Sequence, residues 1–167
     1  MNTLQRALLV AEHHHKNQTY DIYPYMYHIH SVVNLAKEHG WGEMIQVIAA
    51  LHDTLEDTTL SYNDIRKAFG LQVAEAVFAL TDELGRNRKE RKSKTYPKIR
   101  SNPNAVVVKI LDRVANLQHS KEYNQRMWKL YIDELPEFIH SIQSDDHPKA
   151  VQSAWSYLDE YLMITKR

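Results

Sequence analysis

The chain has 167 residues, 43% of them hydrophobic, with 21 Lys+Arg against 21 Asp+Glu and no cysteine. That length supports one packed core, so a single domain over 1–167 is expected, and zero net charge supplies no bulk attraction to nucleic acid or membrane. The missing cysteine excludes disulfides, thiolate metal sites and a cysteine nucleophile. No apolar run approaches the roughly 20 residues needed to cross a bilayer. The start MNTLQRALLV lacks signal-peptide character, which makes the cytoplasm the expected compartment.

Helical periodicity dominates in chain order. Leu4, Leu8 and Ala11 share a face across Thr3–Lys16, and the triplet His13-His14-His15 is read as facing water. A second helix, Tyr25–His39, turns Val32, Val33, Leu35 and Ala36 inward and stops at Gly40. Glu43–Thr54 is a third. Ser61 opens a capping box for a short helix ending at Gly70, and Leu71–Leu80 follows. Asn102-Pro103 is an N-cap with proline in the first turn, leading the apolar helix Ala105–Ser120. Lys121–Ile142 continues, with Pro136 expected to kink or break it, and a last helix runs from Asp146-His147-Pro148 through Met163. No alternating segment argues for a sheet. The expected fold is an all-α, single-domain helical bundle.

One segment is strongly basic. Residues 85–100, GRNRKERKSKTYPKIR, carry eight basic residues, Arg88 among them, against the single acid Glu90. It reads either as a solvated, mobile helix or as a phosphate-attracting wall beside a site. Tyr96 is its one aromatic, too few for a nucleic-acid stacking platform.

The stretch AALHDTLEDT, residues 49–58, puts one imidazole and three carboxylates where a buried helix has just begun. On a continuous helix His52 and Glu56 lie four apart, as do Asp53 and Asp57. His52 follows the apolar face of Ile45 and Ile48. A carboxylate buried there without a partner costs several kcal/mol, and a divalent cation removes that cost. The bland alternative is a helix end fraying into water. Asp112, inside AVVVKILDRVANL, is the next candidate ligand; its alternative is a salt bridge to Lys109 or Arg113. Asn116 falls one turn later on the same face. His28 and His30 project about 200° apart, so one faces the interior, and apolar spacing selects His28.

Three stretches in order, PYMYH at 24–28, ALHDTLEDT at 50–58 and KILDRVANL at 109–117, resemble the PYxxH, LLHDxxEDT and KLADRxxNL patterns of the HD-domain metal phosphohydrolases. The finer likeness is to the RelA/SpoT-type hydrolase branch and its small stand-alone members. That resemblance implies a helical HD-domain bundle in which His28, His52, Asp53 and Asp112 bind a metal, usually manganese. It makes Glu56 and Asp57 the acidic pair that orients and activates water. Asn116, Lys109 and Arg88 are the expected substrate contacts. The implied partner is a small nucleotide, the alarmone ppGpp, which loses pyrophosphate from its 3′ position. The implied alternatives are an HD-domain phosphohydrolase or nucleotidase acting on another nucleotide, and a catalytically silent nucleotide-binding HD module. One departure stands out: the branch's base-lining arginine falls at Thr19 or Tyr20, where Lys16 or Tyr20 is left to substitute by stacking.

Overall fold

Asn2 accepts from the Gln5 amide while the Gln5 side chain returns to the Asn2 amide, so α1 (Thr3–His15) starts on a capping box. The computed structural model describes residues 1–165; Lys166 and Arg167, the end of the expected 1–167 domain, lie outside the described residues. After α1 a hairpin pairs β1 (Thr19–Tyr20) with β2 (Tyr23–Pro24), antiparallel, Tyr20 opposite Tyr23. Asp21 makes that turn at φ +51, a left-handed conformation its short polar side chain tolerates. Then come α2 (Met26–Glu38), α3 (Glu43–Leu51), α4 (Thr54–Asp57), α5 (Tyr62–Phe69) and α6 (Leu71–Leu80). The chain closes with α7 (Arg88–Arg100), α8 (Pro103–Tyr123), α9 (Gln125–Ile142) and α10 (Lys149–Thr165).

The expected caps form. Ser61 and Asp64 build the capping box of α5, and Asn102 accepts from Ala105 N with Pro103 in the first turn of α8. Gly40 takes φ +73 just past α2, as a helix stop requires.

The apolar helix α8 is the spine, packed against α2, α3, α6, α7, α9 and α10. Its Val106, Ile110, Leu111, Val114 and Leu117 lie in one hydrophobic core with Ile48 and Leu51 of α3 and Val32 of α2. Each large aliphatic buried there contributes about 1.5–3 kcal/mol. The consequence for function is positional. The C-terminal end of α3, the first half of α2 and the middle of α8 converge with little freedom to shift, because close-packed interiors resist displacement. No helix among the described residues is long and apolar enough to cross a membrane.

Four expectations are corrected. The third helix does not run to Thr54. It ends at Leu51, where His52 Nδ1 donates to Ala49 O (2.7 Å) and Thr54 Oγ1 donates to Leu51 O (2.7 Å), closing a turn before α4 restarts. Side-chain bonds to the last carbonyls replace the helical ones there. Of the kink or break expected at Pro136, the break does not occur: α9 runs unbroken through it. The proline is exposed, where water can take the place of the missing amide bond, and buried Leu135, Phe138 and Ile142 anchor both sides. The basic run is neither free nor wholly solvated: α7 buries Thr95, Tyr96 and Ile99 against α6, α8 and α9. Finally, of the histidine triplet only His13 and His14 keep contact with water. His15 continues the buried row Leu4, Ala7, Ala11 at helical spacing.

Candidate metal centre and active site

Four side chains from two helices, α2 and α8, and the turn between α3 and α4 meet at the end of the core. His28 of α2 is buried while His30 is exposed, as the apolar spacing predicts. His28 Nε2 lies 3.1 Å from Asp112 Oδ1, 3.3 Å from His52 Nε2 and 3.7 Å from Asp53 Oδ2. His52 Nε2 lies 3.0 Å from Asp53 Oδ2 and 3.6 Å from Asp112 Oδ1. Two atoms bound at about 2.1 Å to one cation, at right angles to each other, are about 3 Å apart. The five distances made by the two histidines thus have the spacing of atoms around a single ion; His28, His52 and Asp53 offer donor atoms all within 4.8 Å of one another, and Asp112 Oδ1 adjoins both histidines.

The donor chemistry fits as well. His52 donates its Nδ1 proton to Ala49 O, which points Nε2 into the cluster as the atom a cation would take. Burial drives His52 toward the neutral form, yet Asp53 and Asp112 outweigh it and raise His52 well above an ordinary imidazole. Against the same burial, His52 holds Asp53, and Lys109 with the two histidines holds Asp112, well below the usual carboxylate range. Two imidazoles and two anionic carboxylates are a donor set for a divalent cation of intermediate softness.

The groups behind the donors fix them. Tyr25 OH donates to Asp53 Oδ2 (2.7 Å) and reaches Asp57 Oδ2 at 3.4 Å. Lys109 Nζ donates to Asp112 Oδ2 (3.0 Å), the salt bridge foreseen as an alternative to metal binding; it takes one oxygen of the carboxylate and leaves Oδ1 facing the histidines. Asn116 Nδ2 donates to Asp112 Oδ1 (2.8 Å) and to its carbonyl (3.0 Å). Gln18 ties the Asp57 carbonyl at 2.6 Å and accepts from buried His15 Nδ1 at 2.8 Å.

The donors open into a polar cavity of about 230 Å³ with two unlike walls. One is acidic, from Asp53, Glu56, Asp57 and Asp82. Carboxyl oxygens of Asp53, Glu56 and Asp57 approach within 4.8 Å of one another. Glu56 retains solvent-exposed surface, yet partial burial together with Asp82, Asp53 and Asp57 raises its carboxyl to about 7. Asp57 is raised as well, by partial burial and then by Asp53. The other wall is basic, from Arg88, Lys92, Lys109 and Arg113. Each cation has an internal partner. Lys92 Nζ bonds Asp82 (2.8 Å), and Arg88 clasps Glu134 with Nε (2.6 Å) and Nη2 (3.1 Å). Glu134 also accepts from Arg113 Nη1 at 3.1 Å.

The nine residues expected as ligands, acidic pair and substrate contacts thus lie together, while Lys16 and Thr19, considered for the base position, are exposed and do not line the cavity. His28, Asp53, Glu56, Asp57, Arg88, Lys109, Asp112 and Asn116 line the cavity, and His52 joins through its ring nitrogen. Sequence reasoning missed Tyr25, Asp82, Lys92 and Glu134. Tyr25 carried a local signal, three residues before His28 in PYMYH, and Lys92 lay in the basic run 85–100 without being singled out. Tyr20, not the exposed Thr19, turns into the cavity. Its ring stacks on His28 (centroids 4.7 Å, 20° between planes), so it is already engaged and is not a free stacking platform.

Residues 7–135 match the HD-domain family, and the chain belongs to it. Among its relatives, it is 32% identical over 131 residues to the Mus musculus protein MESH1, named a guanosine-3′,5′-bis(diphosphate) 3′-pyrophosphohydrolase, covering 75% of this chain and 73% of that one. It is also 32% identical over 123 residues to an Aquifex aeolicus protein of the same activity name, covering 69% of this chain but only 17% of the relative's length. In three dimensions it superposes on a metazoan ortholog of SpoT with a TM-score of 0.78 at 22% identity, covering 99% of this chain and 96% of that one, a likeness of fold.

Proposed function

We propose that residues 1–167 form one domain that hydrolyses guanosine 3′,5′-bis(diphosphate), releasing pyrophosphate from the 3′ position, with manganese held by His28, His52, Asp53 and Asp112. The observation that carries this reading is the convergence of those four donors at the junction of an acidic and a basic wall. The activity names of the relatives supply the substrate. Manganese is the branch's usual metal, and the nitrogen–oxygen donor set accepts it.

Bound there, a divalent cation supplies a Lewis acid for a phosphoryl oxygen and lowers the pKa of water. The chain's residues do the rest. Glu56, raised to about 7, is matched to accept a proton from an attacking water near neutral pH. Asp82 N donates to Glu56 Oε1 (3.1 Å) and fixes its direction, and Asp57 lies beside it to orient the water. Arg88, Lys92 and Lys109 face the phosphates, whose oxygens exchange with Glu134 and Asp82 as partners of Arg88 and Lys92. Hydrolysis breaks the bond between the 3′ oxygen and its phosphorus. Water delivers hydroxide to phosphorus and a proton to the 3′ oxygen.

A second reading keeps this chemistry and changes the nucleotide. Its support is the position where the branch carries a base-lining arginine, held here by Thr19 and an already engaged Tyr20. A panel of phosphorylated nucleotides assayed with manganese separates the two. Pyrophosphate release from ppGpp above all others supports the first, and turnover of another nucleotide with ppGpp intact overturns it.

A further inference from the structure

The ring of Tyr20 does more than fill the hairpin. Its OH donates to Asn116 Oδ1 (2.6 Å), ninety-six residues away in sequence. Both groups that Asn116 Nδ2 meets, the Asp112 carbonyl and Oδ1, are acceptors. The carboxamide therefore has one satisfactory orientation, oxygen toward Tyr20 and nitrogen toward Asp112. Turned the other way, it would set its oxygen against two acceptors. The tyrosine hydroxyl, supplying a proton to that oxygen, makes the correct orientation the stable one.

The same ring packs on His28 from the hairpin side. It stacks on His28 at 4.7 Å and meets Tyr25 edge-on at 6.3 Å, and Tyr25 holds Asp53. His119 at 4.7 Å supports the ring from behind, and the His119–Asp21 pair ties the hairpin turn to α8. A side chain so surrounded, with its one polar atom committed, is preorganised rather than mobile.

We propose that Tyr20 is a positioning residue of the metal centre, holding His28 by ring stacking and Asp112 through the carboxamide of Asn116. It acts on two of the four donors and touches neither the ion nor the reacting atoms. The inference rests on the metal-centre reading above. Groups that orient a metal-binding side chain in this way typically change affinity by about 10- to 100-fold when removed.

The test is manganese affinity of metal-free protein by calorimetric titration, alongside its thermal unfolding midpoint without metal. Tyr20→Phe keeps the ring and deletes the hydroxyl; it should weaken manganese binding about 10-fold and leave metal-free unfolding close to wild type. Tyr20→Leu, which also removes the stacking on His28, should weaken binding further. In an Asn116→Ala background, Tyr20→Phe should add no further loss, since the hydroxyl acts through that carboxamide. Wild-type affinity in Tyr20→Phe, or full additivity with Asn116→Ala, overturns the relay. Equal falls in metal-free stability and affinity reduce Tyr20 to a packing residue and also overturn it. Wild-type protein that binds no manganese defeats the metal-centre reading instead, so the two failures are told apart.

Discussion

The two walls of the cavity are built on opposite principles. The donor corner is carried by α2, the end of α3 and α8, and its side chains are held by groups that substrate has no reason to displace: a backbone carbonyl on His52, Tyr25 on Asp53, and Lys109 with Asn116 on Asp112. The rest of the basic wall, Arg88 and Lys92 of α7 with Arg113 of α8, keeps its cations on carboxylates, Glu134 and Asp82. A phosphate oxygen can replace a carboxylate on an arginine or lysine, because both offer charge-assisted acceptors. One wall is fixed; the other holds its charges in exchangeable pairs. Fixed geometry suits a metal, whose ligand distances tolerate little error, and exchangeable pairs suit a polyanion that must bind and leave.

That contrast orders the expected consequences of mutation. Asp53→Ala removes a donor from the fixed corner, so stoichiometric manganese binding is lost and hydrolysis drops to background, read by metal analysis and pyrophosphate release. Glu56→Gln leaves the donors in place; manganese stays bound while kcat falls by about 10²- to 10⁴-fold, the usual worth of a general base. Arg88→Ala acts on the exchangeable wall. Loss of one charged hydrogen-bond partner raises KM by about 10-fold or more with a smaller change in kcat, and the defect shrinks at high salt. A comparable loss of kcat would place Arg88 with the fixed corner and break the distinction.

The smallest expected effect concerns stability and pH. Folded Glu56 keeps its proton up to about 7, whereas the unfolded chain releases it near 4.5. The native state binds more protons in that window, so stability from this group is present below it and lost as pH rises through it. Glu56→Gln has nothing to lose there. In metal-free protein, its unfolding midpoint should gain on wild type between pH 4.5 and 7 and run parallel above.

The same contrast explains what the sequence made legible. Most of the helices, the choice of His28 over His30, and the candidacy of Asp53 and Asp112 follow from local spacing, because a charged residue inside an apolar helical row is conspicuous by itself; their gathering with His52 was implied by the family resemblance. The break after Leu51 was hidden, since it depends on Thr54 and His52 bonding carbonyls just behind them. The hairpin was hidden because two-residue strands are too short to alternate. Glu134 carries no local mark: it matters only because folding brings α9 against Arg88, 46 residues earlier. Burial of His15 was readable in principle, four residues after Ala11 on the buried row, but three successive histidines look like a solvated face.

The central claim is that one cation sits among four named atoms. Anomalous diffraction from crystals grown with manganese tests it most directly. The account predicts a single strong peak at about 2.1–2.3 Å from His28 Nε2, His52 Nε2 and one oxygen each of Asp53 and Asp112. A peak held instead by Glu56, Asp57 and Asp82, with the two histidines unliganded, would contradict it.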